Sequence, residues 1–152
     1  MPGTIVVGVD GSSPSVAALR WAVAEAELRD AQVVAVHSWA FVLAAPTAEP
    51  GMFPMPGIDL TGQLEAERAV AETELEAAIA TAFPDGPPIA IEKRLDEGDP
   101  AEALVGESSA AELVVVGSSG RSGLASVVLG SVSRHVVQHA HCPVVVVKAK
   151  SD

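Results

Sequence analysis

Two clusters of glycine and serine stand in the C-terminal third of the chain, Gly117-Ser118-Ser119-Gly120-Arg121-Ser122-Gly123-Leu124 and Gly130-Ser131-Val132-Ser133. Apart from Arg121, these residues bring no ionisable side chain of their own. What they offer is main chain, because glycine lets backbone N–H groups come close to a ligand and tolerates positive φ. Free N–H groups at the start of a helix add a favourable partial positive charge, and the combination suits a phosphate. Ser131 and Ser133 add hydroxyls that can cap a helix or donate to a phosphate oxygen. Capping is the simpler role for Ser131 taken alone, and the glycines before it shift the balance towards an anion site.

A second constellation, Gly8-Val9-Asp10-Gly11, follows an apolar β-branched run near the N-terminus. In open α/β sheets, ligands bind beyond the carboxyl ends of the strands where the strand order reverses. If the strand before Gly8 lies beside the strand before Gly117, both loops face one crevice. Asp10 could then hydrogen-bond a ribose hydroxyl or help hold a divalent ion beside phosphates. Its plainer role is to shape the turn, as Asp side chains often do.

The elements that must position these loops can be read in order. Thr4 to Val9 predicts a strand, and Asp10-Gly11-Ser12-Ser13-Pro14 a turn, with Ser13 as helix cap and Pro14 in the first helical turn. The helix from about Pro14 to Arg29 sets Val16, Leu19, Val23 and Ala26 on one face. Gln32 to His37 is a second strand. The stretch that follows, about 41–62, holds four prolines and the apolar Phe41, Met52, Phe53 and Met55, and is expected to be a long loop acting as a lid.

A second helix is expected from about Gln63 to Ala82, with Leu64, Ala71, Leu75, Ala78 and Ile79 inward and Glu65, Glu67, Glu72 and Glu76 in water. A third strand is expected over Ile89 to Leu95. Asp99-Pro100-Ala101-Glu102 then caps a third helix ending near Ala110. A fourth strand over Glu112 to Val116 leads into the glycine-rich loop, a helix over Ser131 to His139, and a last strand over Val144 to Val147. Near-continuous Val and Ile runs joined by helices predict an α/β fold, a single doubly wound five-stranded parallel sheet with helices on both faces.

Other chemistries fit poorly. No lysine follows a glycine at the Walker A spacing, and the Gly-x-Gly-x-x-Gly of a dinucleotide fold is missing after the first strand. His135 and His139 are four apart and Cys142 is close by, yet Val136 stands where a zincin motif needs a glutamate. No Gly-x-Ser-x-Gly elbow is present for nucleophilic catalysis. With no base or arginine finger to name, binding is expected rather than turnover, with slow ATP hydrolysis as the upper limit.

The 152 residues suit one domain, and 49% hydrophobic with 19% charged residues is a folding composition. A formal charge of −11 disfavours nucleic acids and anionic membranes as partners. A lone cysteine, no basic segment ahead of an early apolar run, and no apolar run of spanning length together predict a cytoplasmic protein.

The spacing of Gly117, Gly120 and Gly130-Ser131 resembles the nucleotide-binding signature of the ATP-binding branch of the universal stress protein family. The resemblance extends from the Val-Gly-Val-Asp-Gly-Ser opening, through His37, to the closing Pro143-Val144-Val145-Val146-Val147-Lys148. It implies a Rossmann-like fold of the adenine nucleotide alpha hydrolase-like type, ATP as the bound cofactor, with or without Mg, and a role in stress adaptation. Carried across by position, the phosphate and ribose contacts would be Gly8, Val9, Asp10, Gly117, Gly120, Gly130, Ser131, Val132 and Ser133. Val116 would help line the base pocket, and Asp10 would be the one residue near a nucleotide-borne Mg. Ser38 stands where related ATP-binding members often carry valine, a departure that bears on base preference.

Two roles follow from this resemblance. One is a nucleotide-responsive regulator, and the other is a nucleotide-free interaction protein of the same fold. In either case Val144 to Val147, if it forms a sheet margin, predicts a homodimer through that exposed edge.

Overall fold

The computed structural model describes residues 2–40, 60–119 and 129–149. Its elements run β1 (Thr4–Gly8), α1 (Ser13–Arg29), β2 (Gln32–Trp39), α2 (Leu60–Ala82), β3 (Ile91–Glu97), α3 (Pro100–Ser108), β4 (Leu113–Gly117), α4 (Ser131–His139) and β5 (Val144–Val147). The five strands form one sheet in the order β3-β2-β1-β4-β5, with every neighbouring pair parallel. Strand order reverses between β1 and β4, so the carboxyl ends of these two strands flank the switch point.

Alternation along the strands sorts the core into two layers. Ile5 and Val7 of β1, Val33 and Ala35 of β2 and Val115 of β4 pack with Leu19, Val23 and Ala26 of α1 and with Leu75 and Ala78 of α2. Val6, Val34, Val36, Val114 and Val116 point the other way, onto Leu104 of α3 and Val136 of α4. Burial on both faces explains why β1 and β4 read as unbroken apolar runs, as parallel strands covered by helices do.

Several boundaries differ from the sequence reading, each for a local reason. Ser12, not Ser13, caps α1, since its backbone is extended and its hydroxyl accepts from the Ser15 amide. Two adjacent serines carry the same capping chemistry, and the turn set by Asp10 chooses between them. Helix α2 begins at Leu60, so Leu60, Thr61 and Gly62 belong to it and not to the loop assigned to 41–62. Leu64 is 37% exposed and does not face the core.

Strand β3 starts at Ile91, two residues later than expected, and is a margin strand in which Glu92 and Lys93 are exposed. Asp99 caps α3 as its sequence suggested, accepting from the Ala101 amide. The residues of the expected lid, Phe41, Met52, Phe53 and Met55, lie outside the described residues. Strand β5 occupies the other margin of the sheet. Among the described residues no helix is long and apolar enough to cross a membrane.

Candidate functional site

A cleft of about 270 Å³ opens at the carboxyl ends of β1, β2 and β4. Gly8, Val9 and Asp10 line it from β1 and the loop beyond, Val116 and Gly117 from β4, and Gly130, Ser131, Val132 and Ser133 from the start of α4. Gly120 lies outside the described residues. Ser38, which the resemblance sets at the base position, also lines it, and Ser15, Val36, Pro100, Leu104 and Ser119 complete the lining without having been singled out by sequence reasoning. Parallel pairing accounts for the convergence: β1 sits directly beside β4, so the two loops leave the same edge of the sheet side by side.

Helix α4 presents its first turn to this cleft. Gly130 is its N-cap, in an extended conformation (φ −62°, ψ 165°), and no side chain caps the helix. The first N–H groups of a helix have no intrahelical acceptor, so the amides of Ser131, Val132 and Ser133 remain available as donors. Ser131 is the first helical residue and does not serve as the cap that its sequence position suggested. Ser133 is buried, and its hydroxyl is shared between the carbonyls of Gly130 (3.0 Å) and Ser118 (3.3 Å). Together with the Gly130 amide donating to Ser118 O at 2.9 Å, this ties the start of α4 to the end of β4.

The glycines act differently from one another. Among the described glycines, positive φ occurs at Gly11, Gly86 and Gly98. Gly117 is needed for space instead: a Cβ there would lie 2.7 Å from the backbone carbon of Pro14 and 2.9 Å from the Ser15 nitrogen. Its role is to let β4 pass tightly against the first turn of α1.

Asp10 is engaged in the turn. Its Oδ1 accepts from the Ser12 amide at 2.9 Å and from the Ser12 hydroxyl at 2.5 Å, while the Asp10 amide donates to Ser15 Oγ at 3.2 Å. The carboxylate is thereby aimed and held at the mouth of the cleft. It is the one acidic side chain among the described lining residues. No group of three or more His, Cys, Asp or Glu able to hold a metal exists among the described residues. The His135 and His139 rings lie 4.4 Å apart, stacked at a tilt on α4.

His37 has a position that sequence reasoning did not foresee. It is 6% exposed, its Nδ1 lies 2.8 Å from Val9 O, and its Nε2 lies 3.0 Å from Glu74 Oε2 on α2. A histidine within an otherwise apolar strand was the available signal, since a buried imidazole has to find polar partners.

Comparison with known proteins agrees with this fold. The model of the Universal stress protein family matches residues 1–148, and the chain belongs to that family. A universal stress protein of Mycobacterium tuberculosis is 38% identical over 145 residues, which is 95% of this chain and 45% of that protein. The chain thus spans about half the length of these mycobacterial relatives. Among solved structures, a universal stress protein from Lactobacillus plantarum superposes with a TM-score of 0.69 at 25% identity, covering 95% of this chain and 97% of that one. The universal stress protein from Archaeoglobus fulgidus in complex with dAMP gives 0.61 at 27% identity, covering 97% and 98%.

Proposed function

We propose that this universal stress protein binds an adenine nucleotide, ATP, in the cleft between β1 and β4 and acts as a nucleotide-responsive regulator in stress adaptation. One observation carries the reading: the uncapped first turn of α4 opens into the same cleft as the Gly8-Val9-Asp10 loop. An uncapped helix start attracts a phosphate whatever the net charge of the chain, because its N–H donors and partial charge act at short range. Gly130, Ser131, Val132 and Ser133 then hold the phosphates, and Gly120 joins them from the loop. Gly117 shapes the floor, and Val116, Val9 and Val36 offer apolar surface to the base. The dAMP complex of the Archaeoglobus fulgidus relative supports the choice of ligand class.

Asp10 is placed to meet a ribose hydroxyl or a Mg²⁺ carried in by the phosphates. One carboxylate is enough for the second role, because Mg²⁺ bound to a nucleotide keeps waters and takes most of its protein charge from one or two acids. No second acid and no base stands beside Asp10 among the described lining residues. The chemistry left to the protein is binding, with the triphosphate oriented by amides, and hydrolysis is slow at most.

We further propose that β5 pairs with its twin. Its four valines form a margin of the sheet, and an apolar margin strand invites pairing with another chain. A homodimer that stayed nucleotide-free would be an interaction protein of the same fold.

Release of bound nucleotide separates the two roles. Purified protein is denatured, the supernatant is identified by mass, and emptied protein is titrated with ATP by calorimetry. ATP released, or heat saturating at one nucleotide per chain, is the expected result. Protein that carries none and gives no heat or thermal shift leaves the interaction role standing alone.

A further inference from the structure

The peptide linking Val9 to Asp10 is held at both ends by side chains from different elements. Its carbonyl, Val9 O, lies 2.8 Å from His37 Nδ1 of β2, and its N–H, that of Asp10, donates to Ser15 Oγ of α1 at 3.2 Å. Ser15 and Asp10 both line the cleft, and the Val9 amide is fixed on Val36 O at 2.9 Å. Rotation of this one peptide would therefore redirect the Asp10 side chain and reshape the cleft wall.

His37 carries the connection through the sheet. Its neighbour Val36 faces α3 and α4, so by strand alternation His37 points to the opposite layer. There its Nε2 meets Glu74 of α2 at 3.0 Å. Val9 O can only accept, so that contact uses the Nδ1–H, and a buried ring with both nitrogens engaged has one orientation open to it. Around Glu74, α2 is anchored by Ala71, Leu75 and Ala78, while the Glu74 side chain is 40% exposed. The nearby ion pair between Lys93 and Glu76 sits apart from this chain of contacts.

We propose that His37 is a positioning residue that couples the nucleotide cleft to α2 on the far side of the sheet, through Val9 O on one nitrogen and Glu74 on the other. Filling the cleft fixes the Val9–Asp10 peptide, which fixes His37 and steadies α2. By reciprocity, whatever shifts α2 changes nucleotide affinity by the same factor. This coupling rests on the nucleotide reading of the cleft.

The test compares ATP affinity in the wild type, Glu74→Ala, His37→Gln and the double variant, together with hydrogen exchange of residues 71–78 with and without ATP. Glu74→Ala, which removes the group that meets Nε2, is expected to weaken ATP about fivefold, the ratio that corresponds to one lost hydrogen bond. The double variant should bind no more weakly than His37→Gln alone, since both changes cut one path. ATP should slow exchange in residues 71–78 of the wild type and leave it unchanged in Glu74→Ala, a response that a merely structural histidine would not give. If His37→Gln does not fold, the exchange measurement decides by itself. Wild type that binds ATP with unaltered exchange in α2 overturns the coupling and leaves the nucleotide reading intact. Wild type that binds no ATP overturns both.

Discussion

Gly117 and Pro14 touch so closely that no side chain fits between them: a Cβ at 117 would stand 2.7 Å from the Pro14 carbonyl carbon and 2.8 Å from the Pro14 Cβ. The end of β4 and the first turn of α1 are thereby pinned together beneath the cleft. Glycine at this position is a packing requirement first, and only through packing a condition of the site.

Gly117→Ala is expected to destabilise the protein by about 1–3 kcal/mol, the usual cost of forcing extra atoms into a packed contact. The loss should be the same with and without nucleotide when corrected for binding. Urea denaturation checks it, and an unchanged midpoint would show that the α1 backbone yields freely. Gly117→Asp is for the same reason a poor probe of anion binding, because it would disrupt packing before it repelled a phosphate.

Gly130→Asp makes a sharper probe. The backbone of Gly130 is extended and serves as the N-cap of α4, a conformation and place that aspartate favours. The new carboxylate would accept from the first-turn amides and act as a tethered competitor for phosphate. Stability without nucleotide should rise by about a few tenths of a kcal/mol. ATP affinity should fall about tenfold or more, as charge-assisted hydrogen bonds are lost to the substitute anion. Thermal melts and calorimetry on one variant read both effects, and retained affinity would place the phosphates elsewhere.

The β5 margin gives a prediction about assembly. Light scattering at micromolar concentration should show a dimer, and Val146→Lys should shift it towards monomer, since inward charges on a margin strand oppose pairing. A wild-type monomer would remove this interface.

Cys142 should react slowly. It is a free thiol, half-buried before β5, and burial raises its pKa above the ordinary thiol value, with the backbone at Val114 lowering it only in part. Raised pKa means less thiolate at neutral pH, and the thiolate is the reactive form. Iodoacetamide alkylation at pH 7 should be slower than that of a small free thiol, and should accelerate at higher pH than it does for that thiol. A rate equal to or above the reference would contradict this.

Much of the architecture was legible because valine-rich runs and helical periodicity are strong signals. Five strands, the parallel sheet and both cleft loops follow from the residues, and nine of the ten assigned contacts line one cavity. Local choices were less legible. Ser12 and Ser13 are chemically equivalent as caps, and the tertiary turn, in which Ser12 bonds Asp10 Oδ1 and accepts from the Ser15 amide, distinguishes them. Gly62 inside α2 masked the true start of that helix, since glycine reads as loop. Contacts made across the sheet, such as His37 with Glu74, depend on which strands and helices become neighbours, and local patterns do not encode that.

The site itself is tested most directly by following backbone amide resonances while ATP is added to nucleotide-free protein. The largest shifts should fall on Ser131, Val132 and Ser133 and on Val9 and Asp10, saturating together at one ATP per chain. Saturation with shifts confined to other surfaces, or no change at millimolar ATP, would contradict phosphate capture by the first turn of α4.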